Sequence, residues 1–496
     1  MLFNSFAFIF AFLPVVLIAF FLAGRFAGRT AAIGFLILAS MFFYAWWNAI
    51  YLVLLIAEVC INFGFGRAII ANRGAPAGRR IMIAGIVFNL LVLGFFKYAL
   101  FFTGIVNDLA ATHWTMIALV LPLGISFHTF QQIAYLIQVR DPKTPKYRFL
   151  DYVLFVTFFP QLIAGPIVHH NEVIPQLDKP DLVRWNTGNF VLGLSIFSIG
   201  LFKKTVIADS LAQIATPAFT VVAGAQTLGA GDAWLGALAY SLQLYFDFSA
   251  YSDMAIGLAH MFNVTLPGNF DSPYKAVNIV DFWRRWHMTL SRFLRDFLYF
   301  PLGGNHKGPS RAMINVMITM LLGGLWHGAG WTFIIWGGLH GLYICGHRLV
   351  RGSGLYEKVL PFAWPRRILA QAVTLFLVVI AWVFFRAADI HAAFRMLESM
   401  FGMGAGADVA FGISKPLVLV IATGAIALLA PNVIDLFARF QPVLAFDRPN
   451  ARRMPPLLDR LKWRASPGWG LATGTVAVAG VIAILGWQSE FLYFQF

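Results

Sequence analysis

A histidine in the segment LLGGLWHGAGWTFIIWGGLHG carries the most pointed chemical signal in this sequence. His327 stands among Gly323, Gly324, Gly328 and Gly330, at the junction of two short apolar runs. Glycines let backbones pack closely and let a helix break inside a bilayer, which would turn the imidazole towards a cavity. An unperturbed imidazole titrates near neutrality, which suits a general base. A structural hydrogen bond is the competing reading, and spacing alone leaves both open. His340 lies 13 residues on, roughly 20 Å along a continuous helix and on another face, so no direct partnership with His327 is expected.

The densest run of charge is DFWRRWHMTLSRFLRDFLYF, Asp281 to Phe300. With Trp283 at zero on a helical wheel, Trp286, Leu290, Phe293, Leu294 and Phe297 fall within an arc of about 100°, and Arg284, Arg285, Arg292 and Arg295 take the far side. The pattern predicts one interfacial amphipathic helix over 281–300, aromatics in lipid or protein and cations towards the cytosol. Those cations suit anionic lipid headgroups or a phosphate-rich cytosolic ligand. His287 falls at about 40°, on the border of the two faces, where a local hydrogen bond is the plain reading.

A third polar group lies in LQLYFDFSAYSDMAIGLAH, which places Asp247, Ser249, Tyr251, Ser252 and Asp253 in one apolar span. Ionisable residues at membrane depth are costly and so are candidates for function. Carboxylates at i and i+6 point to different helical faces, and hydrogen bonding to neighbouring helices explains them equally well. No Gly-x-Ser-x-Gly elbow, Walker motif or HExxH signature is present. Cys60 and Cys345 stand alone in apolar stretches, so neither a disulfide nor a metal site is expected.

The elements that must position these groups are set by composition. With 59% of 496 residues hydrophobic and 12% charged, the chain is read as embedded in a bilayer. Apolar runs fall at about 5–23, 31–46, 51–66, 81–102, 116–137, 151–168, 187–202, 205–222, 233–262, 312–325, 326–347, 368–388, 416–438 and 470–488. Several are too short to cross alone, which predicts re-entrant or broken helices in an all-α polytopic domain spanning 1–496.

The first run is followed, not preceded, by Arg25 and Arg29, which argues for a retained span with its N-terminus outside. Alternating sides from there puts 31 of the 37 Lys and Arg on the cytosolic side, including Lys203, Lys204, Lys307, Lys358, Arg448, Arg452 and Arg453. The net charge of +15 therefore expresses topology, and no nucleic-acid partner is expected.

Motifs through most of the chain resemble one family. LPLGISFHTFQ, FFPQLIAGPIV, GLFKKTVIAD, YFDFSAYSDMAIG, PGNFDSPY, DFWRRWHMTLSRFLRDFLYFPLGGN, WHGAGWTFIIWG and WVFFRAAD occur in the order seen in membrane-bound O-acyltransferases, specifically the bacterial alginate O-acetyltransferase branch. The resemblance implies that His327 is catalytic and His287 a functional companion. It implies a cytosolic funnel for the acyl donor and an outer funnel for the acceptor, meeting near His327. Donor contacts are then expected at Trp283, Arg284, Arg285, Arg292 and Lys307, with Asp247, Ser249, Tyr251, Asp253 and Trp326 as tunnel or structural polar groups.

The implied activity moves acetyl from cytosolic acetyl-CoA, a substrate and not a tightly bound cofactor, across the inner membrane towards an exported polysaccharide such as alginate. Periplasmic acetyl-transfer proteins would be partners. D-alanyl or longer-acyl transfer from a carrier protein, or a non-enzymatic transporter, are the alternatives. His128, His169 and His306 stand where the family commonly has an aromatic, an Arg and another basic residue.

Overall fold

The computed structural model describes residues 1–116, 120–352, 363–404, 406, 414–444, 459–486 and 491–492. Lys358, Arg448, Arg452 and Arg453, counted above as cytosolic, lie outside the described residues. The structure is 76% helical, and no strand forms among the described residues.

The longer helices, numbered in chain order, are α1 (Ala7–Phe26), α2 (Gly28–Ala45), α3 (Ala49–Ala71), α4 (Pro76–Ala110), α5 (Ile125–Gln138), α6 (Thr187–Ala223) and α7 (Ala230–Met261). They continue as α8 (Pro309–His327), α9 (Trp331–Gly352), α10 (Ala363–Arg386), α11 (Ile390–Met400), α12 (Ser414–Leu429) and α13 (Pro467–Ala483). Six of them, α1 to α4, α6 and α10, are long and apolar enough to cross a membrane. Each keeps its polar backbone satisfied within the helix, as a bilayer requires.

α7 runs through the centre. Every residue from Ala239 to Met261 is buried, so its polar side chains meet protein on all sides and need no lipid-compatible face. It lies tight against α6, where a Cβ on Gly193 would come within 2.4 Å of Gly257 O, so only a small residue lets the two backbones touch.

Several expected elements change form. The runs 187–202 and 205–222 are one helix, α6, and Lys203 and Lys204 sit in a π-helical turn (Lys203–Ala208) instead of a loop. Their charges are matched internally: Lys203 Nζ lies 2.7 Å from Asp253, and Lys204 Nζ lies 2.8 Å from Asp209 and 2.9 Å from Asp247. Paired cations no longer need water, which is why they do not end the helix. The run 151–168 becomes two short helices, Phe149–Thr157 and Phe159–Leu162, followed by a turn and irregular chain. The run 416–438 stops at Leu429, just before Pro431, which cannot continue the hydrogen-bond ladder.

The single amphipathic helix expected over 281–300 is interrupted. Ile279–Trp283 and Met288–Leu294 are separate helices joined by a turn in which His287 is left-handed at φ 44°. Backbone bonds from another segment hold that turn: Met288 N donates to Asn269 O at 2.9 Å, and Asp271 N donates to Arg285 O at 2.9 Å. Tertiary pairing of the backbone here overrides the helical period. Of the two settings open to the apolar arc, lipid or protein, it takes protein, with Trp283, Trp286, Leu290, Phe293 and Leu294 buried.

Contacts distinguish two ends of the molecule. At one, the basic connections meet: Arg29 binds Asp178 at 2.6 Å, Arg292 pairs with Glu172, and Lys275 donates to Ala430 O. At the other, Leu228 N bonds Ser399 Oγ at 2.9 Å and Arg395 Nε bonds Val222 O at 2.7 Å.

Candidate active site

The site forms where α8 stops. His327 is its last residue, and Gly328 leaves helical geometry at φ −158°, ψ 148°. α9 then turns back along α8. A Cβ on Gly324 would stand 2.2 Å from Phe333 O, one on Gly337 2.3 Å from Met320 O, and one on Gly328 2.1 Å from the Phe333 ring. Gly324, Gly328 and Gly337 therefore permit the hairpin, whereas Gly330 has no contact under 3.6 Å. Because the helix breaks, His340 is not about 20 Å away as a continuous helix would place it. The Trp336 ring separates the two imidazoles, 5.0 Å from His327 and 4.9 Å from His340.

His327 is 4% exposed and boxed by rings: Trp326 at 4.9 Å, Trp336 at 5.0 Å and Phe385 at 5.3 Å. The His287 ring lies 6.3 Å away and is fully buried. Sequence reasoning missed what holds His287. Asn269, in the motif PGNFDSPY, places Oδ1 3.1 Å from His287 Nδ1 and accepts from Thr289 Oγ1 at 2.9 Å, while its Nδ2 donates to Ser252 Oγ at 3.1 Å. Ile167 N donates to Thr289 Oγ1, so that hydroxyl gives its own proton to Asn269. The network assigns the His287 proton to Nδ1 and makes Nε2 the ring's acceptor. A lone Asn in a loop gives no distinctive sequence signal, which is why it was overlooked.

Two cavities approach this cluster from opposite ends. One, of about 450 Å³, contains His327 and Lys97 among Trp47, Leu121, Ser126 and Phe491, at the end bearing the N-terminus. The other, of about 690 Å³, opens at the basic end and is lined by Trp283, Met288, Arg284, Arg292, Arg295 and Arg348. Between them stand Trp283 and Trp336, with ring centroids 5.8 Å apart, and Trp283 Nε1 donates to His340 Nδ1 at 3.3 Å.

The expected donor contacts divide. Trp283, Arg284 and Arg292 line the basic cavity, Arg292 while also bound to Glu172. Arg285 does not line it; its Nε donates to Asp281 at 2.8 Å and its Nη1 to Asp271 O at 3.2 Å, fixing the turn before His287. Lys307 and His306 are exposed and lie outside its walls. Arg295 and Arg348 are there instead, and their arginine spacing on separate helices hid the grouping.

The α7 polar groups are held structurally. Asp247 binds Lys204 and accepts from Leu492 N at 2.9 Å, Asp253 binds Lys203, and Tyr251 stacks on Phe3 at 4.7 Å and Phe491 at 4.5 Å. Asp247 and Asp253, expected on different faces, reach successive lysines of the α6 π-turn. Ser249 is buried at 2%, and Trp326 stacks on Phe130 at 5.0 Å while lining the cavity that contains His327. The three departing histidines differ in setting. His128 Nδ1 lies 3.4 Å from Glu58 in the interior, His169 caps the helix His170–Leu177 with Glu172, and His306 faces solvent. Among the described residues no His, Cys, Asp and Glu group could hold a metal ion.

The chain belongs to the membrane-bound O-acyltransferase family, whose model matches residues 143–388. It is similar to the peptidoglycan O-acetyltransferase of Helicobacter pylori, 46% identical over 429 residues, covering 81% of this chain and 80% of that one. A probable alginate O-acetylase of Pseudomonas aeruginosa is 41% identical over 411 residues, covering 82% of this chain and 75% of its own. More distant is the teichoic acid D-alanyltransferase of Bacillus subtilis, 27% identical over 282 residues, covering 54% of this chain and 69% of that one. The protein is a multi-pass membrane O-acetyltransferase, which sets aside the transporter alternative.

Proposed function

We propose that this enzyme takes acetyl from acetyl-CoA at the cytosolic face of a bacterial inner membrane. It passes the group to a hydroxyl presented from the outer cavity, for O-acetylation of an exported polysaccharide such as alginate. The observation that carries the reading is a pair of cavities entering from opposite ends, one containing His327 and the other reaching Trp283, whose ring lies 5.8 Å from that of Trp336. Acetyl-CoA is too highly charged to cross a bilayer, so a reaction at the partition moves the acyl group where the donor cannot go.

The donor's phosphates would meet Arg284, Arg292, Arg295 and Arg348, since guanidinium forks match phosphate oxygens. His327 would take the proton of the acceptor hydroxyl as its oxygen attacks the thioester carbonyl. The C–S bond then breaks, and the thiolate leaves with the proton that His327 gives back. The products are an acetyl ester and free coenzyme A thiol. His287, oriented by Asn269, would serve as the companion acceptor at the same locus. The outer cavity carries few polar groups, which fits a hydroxyl delivered with help from periplasmic acetyl-transfer partners. The peptidoglycan relative makes another envelope polymer an equal candidate for the final acceptor.

The test supplies purified protein with acetyl-CoA, propionyl-CoA and a D-alanyl carrier-protein thioester, and follows thiol release. Release from acetyl-CoA, abolished in His327→Ala, is expected. Release from the carrier thioester alone would move the reading to D-alanyl transfer.

A further inference from the structure

An α-helix ends with carbonyls that have no partner within it, and these must be met from outside. At the end of α8 the carbonyls concerned include those of Leu325, Trp326 and His327, and the site is buried. A buried carbonyl left unmet keeps the full cost of its desolvation.

Two successive residues of α4 meet all three. Lys97 Nζ donates to Trp326 O at 2.6 Å and to His327 O at 3.0 Å, and Tyr98 Oη donates to Leu325 O at 2.9 Å. The third Lys97 donor reaches Ser126 Oγ at 3.3 Å. Both residues belong to a π-helical turn, Gly94–Tyr98, set inside the otherwise α-helical α4. Turns of this kind are rare, and their wider winding redirects side chains, often at functional sites.

Lys97 forms no ion pair among the described residues. Its amine is set against the negative end of the α8 dipole and, at 5.8 Å, the Trp326 ring. A lysine side chain buried at membrane depth is costly, and a smaller hydroxyl or amide cap would satisfy the same carbonyls more cheaply. Lys97 also lines the cavity that contains His327.

We propose that Lys97, seconded by Tyr98, is a positioning residue for acyl transfer, holding the last turn of α8 so that the His327 ring keeps its aim into the outer cavity. The proposal rests on the reading of His327 as the base. His327 needs such a hold because it is the last residue of α8 and the chain leaves helical geometry at Gly328 directly after it.

The experiment compares full-length Lys97→Met, Lys97→Arg, Tyr98→Phe and His327→Ala by thermal unfolding and by kcat and KM for acetyl-CoA. Lys97→Met is expected to lower kcat about 10²-fold, the scale of a reactive group displaced by an ångström, with KM changed less than about threefold. Lys97→Arg, which keeps charge and donors, should recover most of that loss, and Tyr98→Phe should lower kcat about threefold to tenfold. A purely structural cap would lower the unfolding temperature and the yield without changing kcat per folded molecule.

Folded Lys97→Met with parental kcat, or a loss confined to KM, overturns the proposal. Should Lys97→Met fail to fold, Tyr98→Phe decides alone, and an unchanged kcat there overturns it. Parental activity in His327→Ala refutes the base assignment instead. An inactive His327→Ala beside a fully active Lys97→Met refutes only the positioning role.

Discussion

At the scale of single residues, His327 and His287 differ in how they are held, and that difference predicts different phenotypes. His327 is fixed by surrounding rings and by the carbonyl cap at the end of α8, whereas His287 is fixed by its hydrogen bond to Asn269. His327→Ala should lower acyl transfer by about 10²- to 10⁴-fold in protein that still inserts and melts normally, read from thiol release by matched purified samples. Asn269→Ala removes bonds to His287, Thr289 and Ser252 together. It should destabilise by about 1–3 kcal/mol and lower kcat more than it raises KM. Equal kcat in a folded Asn269→Ala protein would show that the tautomer of His287 is irrelevant to turnover. The glycines around His327 point to the helix break that the structure contains, whereas the roles given to His327 and His287 come from the family resemblance; the pattern alone suggests a local hydrogen bond for His287, and Asn269 makes one. Asn269, Thr289 and Lys97 were not legible, since each is an ordinary polar residue whose partners lie far away in sequence. Arg285 shows the converse: its place on the polar arc suggested a ligand contact, but Asp281 four residues earlier claims it.

Elements explain why some variants should fail without touching the chemistry. A methyl at Gly324 meets a backbone oxygen, which cannot swing aside as a side-chain tip can. Gly324→Ala should therefore force α8 and α9 apart, lowering thermal stability and activity together. Gly330→Ala, with no contact under 3.6 Å, should leave stability unchanged. Similar melting curves for the two would contradict the packing argument. In α6, Lys204→Met takes the paired cation from Asp209 and Asp247, both buried, and should destabilise by about 3–5 kcal/mol in a thermal or denaturant assay. Long apolar runs were legible as helices because bilayer depth leaves the backbone few alternatives. The joins were less so: a lysine pair reads as a loop until its aspartates, 5 to 50 positions away, are in place. The 281–300 stretch failed as one helix for the same reason, because the backbone of residues 269–271 bonds into its middle.

The whole molecule is built about an asymmetry between its two ends, and sidedness is the property that most directly tests it. Arg284, Arg292, Arg295 and Arg348 gather around one cavity, while the other has Lys97 as its cation beside apolar walls. Positive charge is retained on the cytosolic side of inner-membrane proteins, so the arginine-lined cavity should face the cytosol, where a thioester donor is made. The prediction has two parts that must agree. In a background lacking Cys60 and Cys345, a cysteine replacing His306, exposed at the basic end, should react with a membrane-impermeant thiol reagent only after cells are opened. One replacing Trp114, exposed in the connection that leads to the outer cavity, should react in intact cells once the outer membrane is permeabilised. In sealed vesicles of known orientation, acetyl-CoA should support transfer only from the His306 side, because the donor's phosphates cannot pass the partition formed by Trp283 and Trp336. Labelling of position 306 from outside would invert the topology. Transfer from donor supplied on the Trp114 side, with labelling as expected, would instead place the donor in the apolar cavity and leave the arginines to bind lipid headgroups.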